Sequence, residues 1–272
     1  MTTRVAAVQM CCQEELDGNL QQVGELCARA ADQGAEVIVL PENFAYLGPE
    51  SGKRKIAEDV DRGDGPIMSA LQEQAARHGR WLIGGGMPER SADPDRPFSA
   101  CVVVAPDGRL AAKYRKIHLF DIDLGNGVDY CEPRATTPGS EPVVAEVAGV
   151  PVGLSICYDL RFPELYRRLV SGGAQVLAIP AAFTLQTGKD HWTVLLRARA
   201  IENQAYVVAA GQWGRHGEAR DSYGKTCIID PWGAVIAQVS EGVGVVSADL
   251  DFEYLEQVRT KLPALTHRRL DP

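Results

Sequence analysis

Two short runs, residues 151–157 (PVGLSIC) and 175–180 (QVLAIP), are apolar at nearly every consecutive position and too short to be helices. A strand with one wet face alternates polar and apolar residues. These runs therefore predict strands covered on both sides, as in a largely parallel sheet with helices packed against it. Their surroundings agree. A helix over residues 162–171 carries an apolar stripe at Phe162, Leu165, Tyr166 and Leu169, a second spans 191–204, and a strand over 205–210 follows.

The first half uses the same grammar. Strands are expected over 5–10, 36–40 and 81–86, with helices over 17–34 (Leu20, Val23, Cys27 and Ala30 on one face) and 67–78. Each half closes with a hairpin, one pairing 101–105 with 109–116 and one turning at Pro231-Trp232-Gly233. Val103-Val104-Ala105-Pro106-Asp107-Gly108 aligns with Ile228-Ile229-Asp230-Pro231-Trp232-Gly233, which suggests two related halves, although turns of this composition are common. No Ser-, Gly- or Pro-rich linker separates the halves. One α/β layered domain over residues 1–272 is expected.

Composition removes several function classes. The 272 residues carry 28 Lys plus Arg against 36 Asp plus Glu, a net charge of −8, which argues against nucleic-acid or anionic-membrane binding. No apolar run approaches a membrane span, and the N-terminus lacks the apolar stretch of a signal peptide. The expectation is a cytoplasmic protein. Its seven scattered cysteines are odd in number and form no C-x-x-C pair, which fits neither a disulfide framework nor a zinc site.

The segment Val152-Gly153-Leu154-Ser155-Ile156-Cys157-Tyr158-Asp159-Leu160-Arg161-Phe162-Pro163-Glu164 carries the strongest chemical signal. Here a buried strand runs into a turn before a helix. Cys157 would sit at that elbow, where a helix dipole favours a thiolate; a core cysteine closing the strand is the alternative. Ser155 nearly completes a G-x-S-x-G elbow, but it lies inside the strand and the last glycine is missing. The base for a cysteine could be His118 or His191. It could equally be Glu42, which follows the strand at the sheet's C-terminal edge, where desolvation would raise its pKa. Lys116 shares a strand face with Tyr114, away from Lys113 and Arg115, and could stabilise an oxyanion if turned inward.

Together, Pro41-Glu42-Asn43, Tyr114-Arg115-Lys116-Ile117-His118 and Cys157-Tyr158-Asp159-Leu160-Arg161-Phe162-Pro163-Glu164 resemble the nitrilase superfamily of carbon–nitrogen hydrolases along essentially the whole chain. The resemblance implies a four-layer α-β-β-α sandwich. It also implies Cys157 as nucleophile, Glu42 as general base, and Lys116 with the Tyr158 backbone N–H as oxyanion stabilisers. An accessory Glu is implied in the following loop, best matched by Glu132, with Asp129 a poorer alternative.

Tyr158-Asp159 after the Cys points to amidase branches, and within them the chain looks most like deaminated glutathione amidases. That branch implies a small, anionic amide substrate, cleaved to 2-oxoglutarate and cysteinylglycine. The alternatives are an ω-amidase acting on 2-oxoglutaramate or 2-oxosuccinamate, and a catalytically silent binding or assembly protein on the same fold. Phe183 and Thr184 are expected in a pocket wall. Arg161, Arg197, Arg199, Arg215 and Arg220 are candidates for the substrate carboxylate. No metal or organic cofactor is implied, and Gly84-Gly85-Gly86 alone is too weak a phosphate loop. A homodimer or higher homo-oligomer is implied.

Overall fold

A computed structural model describes residues 2–123, 129–218 and 220–270. In chain order the first half holds β1 (Thr2–Gln9), α1 (Leu16–Asp32), β2 (Val37–Leu40), α2 (Glu50–Lys55), α3 (Pro66–His78), β3 (Trp81–Glu89), β4 (Phe98–Val104) and β5 (Leu110–Arg115). A small ribbon, β6 (Asp121–Asp123) and β7 (Asp129–Cys131), precedes the second half. There follow β8 (Val143–Val147), β9 (Val150–Leu154), α4 (Pro163–Ser171), β10 (Val176–Ala178), α5 (Leu185–Asn203) and β11 (Tyr206–Ala209). The chain then adds β12 (Trp213–His216), β13 (Arg220–Tyr223), β14 (Cys227–Ile229), β15 (Val235–Gln238), β16 (Gly244–Asp251) and α6 (Phe252–Lys261).

Two six-stranded sheets form, in the orders β16-β1-β2-β3-β4-β5 and β15-β14-β11-β10-β9-β8. Each has an antiparallel edge strand, three parallel strands and an antiparallel hairpin. The two hairpins even share an irregularity: the register shifts between Val103 and Val104 in one and between Ile228 and Ile229 in the other, the positions that align in sequence. The related halves expected from the turns are present in the topology. They differ in the edge strand, which β8 supplies from within its own half and β16 supplies from the end of the chain.

The apolar runs are explained by coverage on both faces. Val5, Ala7, Val37, Val39 and Ile83 face the second sheet, in one core with Val152, Leu154, Val176 and Ala178. Their neighbours Ala6, Val8, Ile38, Leu40 and Leu82 pack in a second core with Val23, Leu26, Ile67 and Leu71 of α1 and α3. Helices α4 and α5 cover the second sheet, with Leu169 against Gly153. The result is the four-layer α-β-β-α sandwich, each buried Leu, Ile or Val contributing about 1.5–3 kcal/mol of transfer free energy. Among the described residues, no helix is long and apolar enough to cross a membrane.

Two boundaries differ from expectation. The strand before Cys157 ends at Leu154, and the helix expected from residue 191 begins at Leu185. Its first turns read as loop because they are polar and contain Gly188. A Cβ there would fall 2.3 Å from Tyr223 Cβ, so close helix–strand packing requires the glycine.

Candidate active site

Glu42 lies just past β2, at the C-terminal end of a parallel strand, and is only 4% exposed. Its Oε1 accepts from Lys116 Nζ at 2.8 Å and its Oε2 from the Ala182 backbone N–H at 2.9 Å. Gly86 of β3 makes room for it, and the neighbouring Gly85 for Pro180. A Cβ on Gly86, whose φ is +71°, would fall 2.6 Å from Glu42 Cγ, and one on Gly85 would fall 2.0 Å from Pro180 Cβ. The glycine run is thus a close-approach device. Gly86→Ala is expected to displace Glu42 and lower kcat/KM roughly 10²-fold, as a misplacement of about 1 Å does. Steady-state kinetics on the folded variant would show it; unchanged kcat/KM contradicts this role.

Cys157 opens a 3-10 turn, Cys157–Arg161, with its N–H donating to Pro180 O at 2.8 Å. Its φ of +47° is left-handed, a conformation that costs a non-glycine residue about 1–2 kcal/mol. The surroundings over-determine it. Fully buried Asp159 accepts from Ile156 N at 2.8 Å and Tyr114 Oη at 2.8 Å through one oxygen. Its other oxygen accepts from His118 N at 3.1 Å and lies 2.7 Å from His118 Nδ1. One buried carboxylate therefore ties the elbow to the segment after β5. Sequence reasoning saw Asp159 only as part of a motif, because the function of a buried linker depends on partners 41 and 45 positions away.

The rival assignments resolve in the same geometry. Ser155 Oγ is buried, donates to Ala178 O and accepts from Tyr166 Oη, so it is a packing hydroxyl. His118 is committed to Asp159 and stacks on Phe162, while His191 Nδ1 sits 3.3 Å from Arg161 Nη1. The ionisable groups that act on the Cys157 thiol are Glu42 and Lys116, not an imidazole.

Lys116 follows β5 on its inward face. Lys113 and Arg115 point outward to Glu89, whereas Tyr114 and Lys116 are buried, Lys116 to 1% exposure. Its Nζ reaches Glu132 Oε2 at 2.9 Å as well as Glu42. Glu132 opens a short turn after β7 and also accepts from Phe120 N at 2.6 Å. The Asp129 side chain lies outside the described residues.

Protonation follows from this packing, and it corrects two expectations. Burial pushes the Cys157 thiol well above its ordinary pKa, and the Glu42 charge adds to this against the partial offset of Lys116. The cysteine opens only the short 3-10 turn, and α4 begins six residues later at Pro163, so the α-helix dipole expected to favour a thiolate is not at Cys157. Burial alone would also raise Glu42, but the Lys116 ammonium, aided by Arg220 and the Cys157 hydrogen bond, holds it below its ordinary value. The resting site is therefore a thiol beside a carboxylate.

A carboxyl whose pKa is lowered stays ionised as pH falls and is lost as a base only below its ordinary range of about 4.3. In kcat/KM measured from about pH 4 to about pH 9, no acid limb from this group is expected above its ordinary range. A base-assigned limb near about pH 6.5, the imidazole value, contradicts it.

These groups floor a cavity of about 170 Å³ whose walls include Tyr158, Arg161, Phe183 and Thr184. The Arg161 guanidinium lies 5.8 Å from the Tyr158 ring centroid and 5.4 Å from that of Phe183. Thr184 also caps α5, accepting from Thr187 N. Of the other arginine candidates, Arg220 lines the cavity. Arg197 binds Gly233 O, Arg199 binds Leu160 O and Glu202, and Arg215 pairs with Asp221, which removes them from the candidates. Sequence reasoning missed Asn43, Lys53, Phe120, Thr187 and the Ala182 amide. A backbone N–H has no sequence signature, and Lys53 sits in a basic stretch that reads as solvated surface. Among the described residues no group of three His, Cys, Asp or Glu side chains could hold a metal.

Comparison with known proteins gives a consistent answer. Residues 4–260 match the carbon-nitrogen hydrolase family. A deaminated glutathione amidase of Synechocystis is 44% identical over 97% of both chains. The crystal structure of the NitFhit protein of C. elegans superposes with a TM-score of 0.92 at 38% identity, over 98% of this chain and 65% of that one. An amidase of Nesterenkonia sp. AN1, in a mutant form with acrylamide added to its active-site cysteine, has a TM-score of 0.79 at 26% identity, covering 96% of this chain and 98% of that one. With the fold, the buried Glu-Lys-Cys cluster and a match over nearly the whole length in hand, this chain belongs to the carbon-nitrogen hydrolase family.

Proposed function

We propose that this chain is an amidase that cleaves deaminated glutathione to 2-oxoglutarate and cysteinylglycine through a thioester on Cys157. The observation that carries the chemistry is that Cys157 and Glu42 line one cavity, with the carboxylate held by Lys116 at 2.8 Å. The substrate rests on the full-length similarity to relatives that bear this activity in their names.

In this reading the Glu42 carboxylate takes the thiol proton as sulfur attacks the amide carbonyl. The tetrahedral oxyanion is stabilised by Lys116 and the Tyr158 backbone N–H, with Glu132 orienting Lys116. Glu42 then passes its proton to the amine of the departing cysteinylglycine, and the acyl group remains on sulfur. Glu42 next takes a proton from water as that water attacks the thioester. Collapse expels the Cys157 sulfur, which recovers the proton, and 2-oxoglutarate leaves. Arg161, flanked by Phe183 and Thr184, holds the keto-acid carboxylate, a local cation against an overall charge of −8.

The whole of residues 1–272 acts as one catalytic domain in this reading, supported by the pairing of β1 with β16 near the two ends of the chain. Seven free thiols support a reducing, cytoplasmic setting. Exposed Trp232 and Ile201, the latter packed against Gly233, support a homo-oligomer, to be read by light scattering, where a monomer at working concentration overturns it. The test of function is 2-oxoglutarate release from deaminated glutathione against that from 2-oxoglutaramate. A clear preference for the latter overturns the substrate in favour of an ω-amidase.

A further inference from the structure

Among the cations that line the cavity is Lys53, which the chemistry above does not use. Helix α2 carries three basic residues in a row, Lys53, Arg54 and Lys55; the last two are exposed, but the Lys53 side chain is only 15% exposed. It is turned inward by the way α2 packs: a Cβ on Gly52 would fall 2.0 Å from Tyr46 Oη, so glycine lets this helix press onto the phenol. Lys53 lines the active-site cavity, together with a small void behind it bordered by Asn43, Ser99, Glu132 and Thr136.

A largely buried ammonium needs partners. Lys53 donates to Glu50 Oε1 at 2.9 Å, which uses one of its three donors. Glu50 lines the cavity too, and its Oε2 is enclosed without a hydrogen-bond partner among the described residues. The pair thus presents to the cavity an ammonium with donors to spare, held in place by Glu50. Arg161 belongs to the Cys157 turn in the second half of the chain, and Lys53 comes from the first half and shares its void with Glu132. Lys53 and Arg161 thus reach the cavity from different elements, α2 and the Cys157 turn. An amide with an acidic group on each side of its scissile bond matches that arrangement, one carboxylate per cation.

We propose that Lys53, steered by Glu50, is a specificity-determining residue: it binds the C-terminal carboxylate of a peptide leaving group. This inference rests on the amidase reading above and names the part of the site that distinguishes a dipeptide from ammonia as leaving group.

The test compares kcat/KM for deaminated glutathione with that for its analogue bearing a C-terminal carboxamide, and for 2-oxoglutaramate. The unaltered protein is expected to prefer the free carboxylate by about tenfold or more, the size of one charge-assisted contact. Lys53→Met should erase that preference, chiefly through KM, and Lys53→Arg should retain most of it. Circular dichroism of both variants checks that they are folded. If Lys53→Met keeps the preference, or loses both peptide substrates and 2-oxoglutaramate in equal proportion, the assignment of Lys53 is overturned. If the unaltered protein turns over 2-oxoglutaramate but not deaminated glutathione, the substrate reading itself fails, and this inference with it.

Discussion

Cys157→Ser is expected to lower amide hydrolysis by roughly 10⁴-fold or more while leaving the folded structure intact. Serine is nearly isosteric, and the backbone at this position is fixed by contacts that do not involve sulfur: the N–H to Pro180 O and the Asp159 bond to Ile156 N. Chemistry, in contrast, depends on the atom. The Glu42 carboxyl is held below its ordinary pKa by Lys116. A base that weak can accept a proton from a thiol as it attacks, but an alcohol is a far poorer acid and a poorer leaving group from the acyl intermediate. Steady-state kinetics and thermal unfolding of the purified variant separate the two effects. Loss of activity with an unchanged unfolding midpoint is the expected pair of results.

Lys116→Met is expected to remove activity and to destabilise the fold by ~3–5 kcal/mol near neutral pH, the usual consequence of removing one partner from a buried charge cluster. The ammonium lies between Glu42 at 2.8 Å and Glu132 at 2.9 Å, and both Lys116 and Glu42 are nearly fully buried. Without it, two carboxylates share a dry site, and each favours its protonated form. The sign of the pH dependence follows. A carboxyl whose folded pKa rises above its unfolded value binds more protons when folded, so its stability contribution is present at low pH and lost as pH rises. The variant's deficit should therefore shrink on going from about pH 7 to about pH 5, whereas the unaltered cluster gains no such relief. Chemical denaturation at the two pH values checks this; a pH-independent deficit contradicts the burial account.

Much of the site was legible because its residues sit where strand patterns end. Glu42 after an apolar strand, Lys116 on the face opposite Lys113 and Arg115, and Cys157 beyond the run from residue 151 each follow from periodicity and position. The structure brings these three together, with Glu132 beside them. What periodicity cannot reveal is which groups exchange charge. The direction of the Glu42 shift depends on a lysine 74 residues away, and that of Cys157 on burial and the Glu42 charge, so local reasoning about desolvation and a helix dipole reached the opposite sign for both. Helix α2 went unseen for a different reason. Six residues are too short for an apolar stripe, and its placement depends on Gly52 meeting Tyr46. The arginines show the same limit: Arg161 and Arg220 line the cavity, while Arg199, on the buried side of α5, serves Leu160 and Glu202.

The central claim is a covalent acyl group on Cys157 formed with Glu42 as base. Intact-mass analysis of protein quenched during turnover of deaminated glutathione, followed by peptide mapping, addresses it directly. The expected result is a mass gain equal to the 2-oxoglutaryl acyl group, located on the peptide containing Cys157 and absent from Cys157→Ala. Undiminished turnover by Cys157→Ala, or an acyl group located on any other residue, would contradict it.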